Sequence, residues 1–302
     1  MKLFKNNLVN PIILFACFLI MSACIDSTPN NSTQTDNDSI KTAEGGFTNN
    51  ESTYYRFPTP DEIFSFIDNE KLKFNPSLLN PSTNSEKYLD SKSQTLALGA
   101  YISDLAYITM FESYNKSIEY YGVIHLLSDK IRISSTYDLE ISKRIEKNLL
   151  NLDSLKTIST DSYSSIVEYL IVNNREKTLA LIAAGAYVEC FHIAFQLAGN
   201  YSKNNTMLPK IVDLKFAFEN LYSYLQIYSD SEDVKQMAEK LKPLSDLFKQ
   251  LDKNNSSKTT VKQDKEGNIV LGGGTTFEMD SKLFAKIKGE VAKVRSSIIN
   301  NN

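Results

Sequence analysis

The stretch TLALIAAGAYVECFHIAFQLA, residues 178–198, decides the fold. Its apolar side chains lie on every side of a helix, and such a helix is either buried in a protein core or spans a membrane. Glu189, His192 and Gln196 interrupt the apolar pattern. A charged side chain at the middle of a bilayer costs about 2.5–3.5 kcal/mol on insertion scales. The stretch therefore predicts a central helix of a soluble bundle.

A second stretch, residues 93–111, shares this character and part of the sequence. TLALGAY at 95–101 is matched by TLAL at 178–181 and by GAY at 185–187, and the two GAY triplets lie 86 residues apart. The match has two interpretations, an internal duplication of a helical unit or two core helices that share a composition. Because glycine costs about 1 kcal/mol relative to alanine inside a helix, we predict that Gly99 and Gly185 allow a close approach between helices.

The remaining periodicity predicts helices along most of the chain. Apolar residues step by three and four along 211–228 and again along 234–251, which is typical of a packed seam and predicts an antiparallel helical hairpin. Other helices are predicted to start at Thr59, with a capping box to Glu62, at Ser135 and after the cap residue Asp280. Further helices are predicted at 117–131, with Ile118 and Leu126 facing inward, and at 161–173.

The fold class is therefore all-α. We expect a multi-helix bundle of antiparallel helical hairpins, with an internal duplication as one interpretation. A small β-hairpin, or alternatively an extended arm, is predicted before the C-terminal helix, because 259–263 and 268–271 flank a polar turn that contains Gly267.

The N-terminus predicts export and lipid attachment. Lys2 and Lys5 precede the apolar run PIILFACFLIM at 11–21, which has the length of a signal-peptide core and is too short to span a bilayer. The following MSAC, 21–24, resembles a bacterial lipobox, with Met21 where leucine is more usual. The resemblance implies cleavage before Cys24 and attachment of diacylglyceryl and a fatty acyl chain such as palmitate to that residue. The alternative is an ordinary secretory signal with a coincidental cysteine.

These features divide the chain into three parts. Residues 1–23 are the predicted lipoprotein signal peptide. Residues 24–57 are polar and predict a flexible tether, which at about 5–6 Å × √n holds the body roughly 30 Å from the lipid. Residues 58–302 are the predicted helical domain, with the hairpin and a linker at 254–278. The predicted location is membrane-anchored on the periplasmic side or the cell surface, with the outer membrane favoured.

The composition of the chain argues against some classes of function. The 302 residues carry a formal net charge of −3, three cysteines and two histidines. The absence of a basic excess argues against nucleic acid as a partner. Once Cys17 leaves with the signal and Cys24 is lipidated, Cys190 is alone and no intrachain disulfide can form.

A longer segment resembles a known group of proteins. The run LGAYISDLAYITMFESYNKSIEYYGVIHLLSDKI at 98–131, DSL at 153–155, AAGAYVE at 183–189 and the GGG at 272–274 are similar to uncharacterised, all-helical Bacteroidetes lipoproteins. The similarity covers roughly residues 58–299. It implies an all-helical fold and a lipid anchor, and it carries no catalytic motif.

One group of acidic residues and a histidine could form a metal site. Glu189 and His192 form an E-x-x-H, which places both side chains on one helix face, and Asp104 on the sister helix could join them. Di-metal carboxylate bundles use two such motifs, but His125, the other histidine, belongs to no second E-x-x-H. The alternative is that Glu189 and His192 hydrogen-bond to each other or to tyrosines inside the bundle. Cys190 is expected to be a buried structural residue.

The tyrosines also have two interpretations. They are dense on or near the two core helices and could line a cleft for a glycan or peptide, or they could fill the core in place of tryptophan, which we favour. The residues are Tyr101, Tyr107, Tyr114, Tyr120, Tyr121 and Tyr187.

The predicted function follows from the anchor and the absence of a catalytic motif. We expect a lipid-anchored binding or scaffold protein of the cell envelope, with no catalytic residues and no cofactor. Its partners would be the membrane, through Cys24, and an envelope protein, peptide or glycan. The alternative is a metal-dependent enzyme that uses Glu189, His192 and Asp104.

Overall fold

A computed structural model describes residues 59–64, 72–111, 113–133, 143–144, 147–148, 151–251, 256–257, 260–263, 269–272 and 275–300. The predicted signal peptide, Cys24 and the tether lie outside these residues. The helices are α1 Pro60–Phe64, α2 Ser91–Met110, α3 Tyr114–Lys130, α4 Leu152–Val172, α5 Glu176–Ala198, α6 Met207–Ile227, α7 Glu232–Phe248 and α8 Ser281–Ile299. The predicted all-α bundle is confirmed.

Short strands connect α7 to α8. Strand β1 (Ser256–Ser257) pairs with β4 (Thr275–Thr276), and β2 (Thr260–Gln263) pairs with β3 (Ile269–Gly272). Both pairs are antiparallel, and the second lies where the sequence predicts a hairpin.

Helices α2 and α5 form the centre of the bundle. Both are buried along most of their length, and they pack on each other more extensively than any other pair of elements does. Among the described residues, α5 is the one helix long and apolar enough to cross a membrane. Within α5, 89% of the apolar 18-residue stretch is buried inside the protein. Helix α5 therefore has the burial of a core helix, as predicted.

The crossing of α2 and α5 takes place at the two glycines. A Cβ added to Gly99 would lie 1.9 Å from the Ile182 carbonyl oxygen, and one added to Gly185 would lie 1.9 Å from that of Leu96. No real Cβ tolerates such a distance, so only glycine allows this approach. The predicted role of the two glycines is confirmed.

Some of the predicted helix caps form in the structure, and one helix starts without its predicted cap. Thr59 and Glu62 form the predicted capping box, with backbone-to-side-chain hydrogen bonds of 2.9 and 3.1 Å. Asp280 caps α8 through the Leu283 N–H at 2.7 Å. Helices α6 and α7 form the predicted hairpin, although Ser231 starts α7 without a side-chain cap.

Two predictions were wrong in detail. The helix predicted at 161–173 begins at Leu152, because the Asn151 side chain accepts the Ser154 N–H at 3.0 Å and starts α4 there. The helix predicted from Ser135 lies mostly outside the described residues. Ile118 and Leu126, predicted to face inward, are 44% and 41% exposed on α3.

Candidate functional site

A pair of carboxyl groups lies in the core where α2 faces α5. Asp104 on α2 has no exposed surface, and Glu189 on α5 is 1% exposed. The Asp104 Oδ2 atom accepts the backbone N–H of Asn80 at 3.1 Å. The Asp104 Oδ1 atom is buried and has no hydrogen-bond donor among the described residues. The structure thus brings together two of the three predicted site residues.

The partner of Glu189 is Arg295, which comes from α8. The Arg295 Nε atom donates to Oε1 and Oε2 of Glu189 at 2.9 and 2.8 Å, and Nη2 donates to Oε1 at 2.7 Å. Nη2 also donates to the Leu78 carbonyl oxygen at 2.8 Å. A fork of this kind is among the strongest geometries for an ion pair. Arg295 therefore ties α8 to α5 and to the segment before α2.

Burial and charge shift the pKa values of this cluster. Burial, followed by the negative charge of Glu189, raises the pKa of Asp104 well above its usual 3.8. Burial also raises the pKa of Glu189, and the charge and hydrogen bonds of Arg295 oppose that rise. Burial lowers the pKa of Arg295, but Glu189 outweighs it and the pKa is raised overall.

His192 does not join the carboxyl pair. No hydrogen bond connects it to Glu189, and burial, Arg295 and Lys288 lower the pKa of His192 to about 3. Among the described residues, no three His, Cys, Asp or Glu side chains are grouped so that they could hold a metal ion. The predicted set of Glu189, His192 and Asp104 is therefore corrected, because a guanidinium occupies the place that a cation would need beside Glu189.

A shell of hydrogen bonds ties the segment before α2 to the same cluster. The Asn80 side chain donates to the Tyr88 hydroxyl at 3.0 Å and accepts from Asn84 at 2.8 Å. The Tyr120 hydroxyl donates to the Asn80 carbonyl at 2.8 Å. The Tyr101 hydroxyl donates to a neighbouring carbonyl of the same segment at 2.8 Å. The tyrosines thus act as core residues with polar ends.

The favoured interpretation of the tyrosine-rich region is confirmed where the structure describes it. Tyr101, Tyr107, Tyr120 and Tyr187 are at most 2% exposed, and Tyr121 is 6% exposed. The side chain of Tyr114 lies outside the described residues. These described rings are therefore packed in the core.

Cys190 is buried in the core, as predicted. Its thiol donates to the Ser103 hydroxyl at 3.3 Å, and that hydroxyl donates to the Ala186 carbonyl at 2.8 Å. Under the 86-residue offset, Ser103 corresponds to Glu189 and Asp104 to Cys190. The pairs Ser103–Cys190 and Glu189–Asp104 thus exchange with each other, as do the two glycine contacts. Such an exchange is what a two-fold axis between two equivalent helices produces.

A separate cleft lies at the start of α4. Its volume is about 300 Å³, and it is lined by Arg144, Asn148, Asn151, Ser154, Thr157 and Ile158. Arg144 is engaged by Asp161 at 2.9 Å. None of the residues predicted from the sequence as site candidates lines this cleft.

Sequence reasoning missed Arg295 and Asn80. Arg295 lies among the buried apolar positions of α8, between Val294 and Ile298. A lone arginine beside such an apolar face is the one signal in the sequence that points to a buried acidic partner. No comparable signal marks Asn80, whose role depends on a backbone N–H.

Comparison of the chain with protein-family models, with curated proteins and with solved structures finds no match. The interpretation of the cluster therefore rests on its own geometry. That geometry defines an all-α bundle in which α8 binds the core residue Glu189 through Arg295. The resemblance to Bacteroidetes lipoproteins stays a prediction.

Proposed function

We propose that this chain is a lipid-anchored protein of the cell envelope that acts as a binding or scaffold module without catalytic activity of its own. Cys24 would carry the lipid, and residues 24–57 would connect it to the helical body. The partner would be an envelope protein, a peptide or a glycan. The lipobox-like sequence at 21–24 and the polar composition after it support the anchor.

The engagement of the cluster within the chain is the observation that carries the non-catalytic part of this proposal. A catalytic acid or base must come within hydrogen-bond reach of its substrate. Here the Glu189 oxygens accept three hydrogen bonds from Arg295, and Asp104 has no exposed surface. These groups are committed to holding helices together, which leaves binding through the surface as the favoured activity.

Lipid attachment is tested by replacing the predicted acceptor. Cys24→Ala should abolish incorporation of labelled palmitate and move the protein from the membrane fraction to the soluble fraction. Cys17→Ala is the matched control, because it changes a cysteine of the predicted signal and leaves the lipobox intact. Palmitate labelling of Cys24→Ala at the wild-type level would contradict the anchor.

Partner binding is tested on the full chain in its own membranes. The tagged protein is crosslinked in intact cells, captured, and compared with a second, unrelated lipoprotein that carries the same tag. We expect an envelope protein, peptide or glycan to be enriched over that control. Failure to enrich any of the three under several growth conditions would count against a binding role.

The enzyme alternative has its own measurement. Metal content is determined on the full chain purified without chelator, together with His192→Ala. We expect substoichiometric metal in both. One equivalent of metal in the wild type that is lost in His192→Ala would overturn the non-catalytic proposal and leave the lipid anchor untouched.

A further inference from the structure

We propose that Asp104 holds a proton in the folded protein and donates it to Glu189, so that Asp104, Glu189 and Arg295 form an electrically neutral latch that joins α2, α5 and α8. The inference concerns the core and is independent of the proposed function. We call these three residues the latch.

The charges of the cluster require the proton. Two carboxyl groups face one guanidinium inside the core, and an uncompensated charge at such depth is costly. The fork of Arg295 neutralises Glu189, and Nη2 of the same guanidinium also donates to the Leu78 carbonyl. Among the residues that the structure describes, no second cation forms an ion pair with Asp104, so the neutral form is the one that its surroundings accommodate.

The hydrogen bonds of Asp104 also support a protonated carboxyl group. Oδ2 accepts the Asn80 N–H, and Oδ1 has no donor among the described residues. A proton on Oδ1 would turn this orphaned acceptor into a donor that Glu189 can accept. The equivalent pair across the helix crossing, Cys190 and Ser103, is itself joined by a hydrogen bond of 3.3 Å.

The other titratable groups around the latch add no positive charge to Asp104. Tyr88, Tyr101 and Tyr120 are neutral, because burial raises the pKa of each. His192 is also neutral, since its pKa lies near 3. Lys288 on α8 donates to the Gly199 carbonyl at 2.8 Å, near the end of α5. Of the described cations, Arg295 is therefore the one that acts on the pair.

The latch connects α8, α5 and the segment before α2. Arg295 holds α8 to Glu189 and to Leu78, while Asp104 holds the Asn80 backbone. The Tyr88 hydroxyl donates to the Ile299 carbonyl at 3.1 Å, which adds a second tie to the end of α8. Ionisation of Asp104 would place a second negative charge against Glu189 and loosen α8 and the segment before α2 together.

The raised pKa of Asp104 determines how the stability of the fold changes with pH. Because the pKa of Asp104 is raised in the folded state, the stabilisation from its proton is complete below about pH 3.8 and is lost as the pH rises through the folded-state value. Within that interval the wild-type unfolding constant rises by up to about tenfold per pH unit relative to a variant without this proton.

The experiment compares the full chain with Asp104→Asn, in which the amide can still donate to residue 189 and accept from Asn80. Unfolding is measured across pH 4–9, and Asp233→Asn is the matched control because Asp233 is exposed on α7 and lies 3.9 Å from Lys92. We expect the ratio of wild-type to Asp104→Asn unfolding constants to rise with pH, and the ratio for Asp233→Asn to stay flat. A flat ratio for Asp104→Asn would overturn the proposal.

A second measurement needs no variant that might fail to fold. Carboxyl carbon resonances of the folded wild type are assigned by NMR through the backbone and followed with pH. We expect Asp104 to remain protonated at pH values at which the exposed aspartates are ionised. Titration of Asp104 together with those aspartates would overturn the proposal even if its variant is unstable.

Discussion

At the scale of single residues, Arg295 determines what the acidic core residues do. Glu189 and Asp104 could be picked out from the sequence because charged groups are rare in apolar helices. The pairing of Arg295 with Glu189 could not be predicted, because the two residues lie 106 positions apart and the arginine signal on α8 does not say which acidic residue it meets. Helical periodicity predicts which face of α8 is buried, but it does not predict which helix that face meets.

Replacement of Glu189 should be severe. Glu189→Gln keeps the shape but removes the carboxylate that the Arg295 fork binds, and breaking a buried ion pair in this way typically costs about 3–5 kcal/mol of unfolding free energy. Glu119→Gln is the control, because Glu119 is 38% exposed and pairs with Lys116 one helical turn away. Exposed pairs contribute about 0–1 kcal/mol. Denaturant unfolding of both variants checks this, and losses of equal size would contradict the argument.

His192 should make the fold sensitive to acid. Its pKa is lowered from 6.5 to about 3, first by burial and then by Arg295 and Lys288. A lowered histidine pKa gives stability that is present above pH 6.5 and is lost as the pH falls toward 3. His192→Gln should therefore flatten the loss of stability between pH 6.5 and 4, whereas His125→Gln, at an exposed position, should not. An unchanged acid profile in His192→Gln would contradict this.

Asp104 and His192 change the stability of the fold in opposite directions as the pH changes. The wild type combines a loss of stability on raising the pH, from Asp104, with a loss on lowering it, from His192. Their windows overlap above pH 3.8. Only comparison with the single variants separates the two contributions.

At the scale of elements, local patterns predicted the bundle well. The seam of α6 and α7, the caps at Thr59 and Asp280 and the glycine contact all occur as the sequence indicates. The errors come from information that the local sequence lacks. The inward prediction for Ile118 and Leu126 failed because an apolar residue on a helix can face solvent when none of the described elements covers that side.

The glycine contact gives a sharp prediction. Gly99→Ala and Gly185→Ala each place a Cβ 1.9 Å from a backbone carbonyl oxygen of the facing helix. The two backbones must separate, and overpacking of this kind costs about 1–3 kcal/mol or more. Thermal unfolding of each variant checks the loss.

Two other helical glycines supply the controls. A Cβ at Gly122 or Gly289 would meet no atom of the described residues within 4 Å. Alanine at these positions should stabilise the protein, by up to about 1 kcal/mol, because it is the better helix former. Equal destabilisation at all four glycines would show that the contact between α2 and α5 is not the cause.

At the scale of the whole molecule, the C-terminal helix completes the core. Helix α8 packs against α5, α7 and α2, and its Arg295 reaches the centre of the bundle. Residues far apart in sequence are therefore coupled, and the core should unfold as one unit. Whether this body serves a partner at the envelope depends on the predicted lipid anchor, which the Cys24→Ala experiment tests separately.

A double-mutant cycle between Glu189 and Arg295 tests the central claim most directly. Glu189→Gln, Arg295→Met and the double variant are unfolded under the same conditions. If the two side chains form one buried pair, the double variant should be less destabilised than the sum of the single variants, with a coupling energy of about 2 kcal/mol or more. Additivity of the two substitutions within about 0.5 kcal/mol would contradict the claim that Arg295 engages Glu189 in the core.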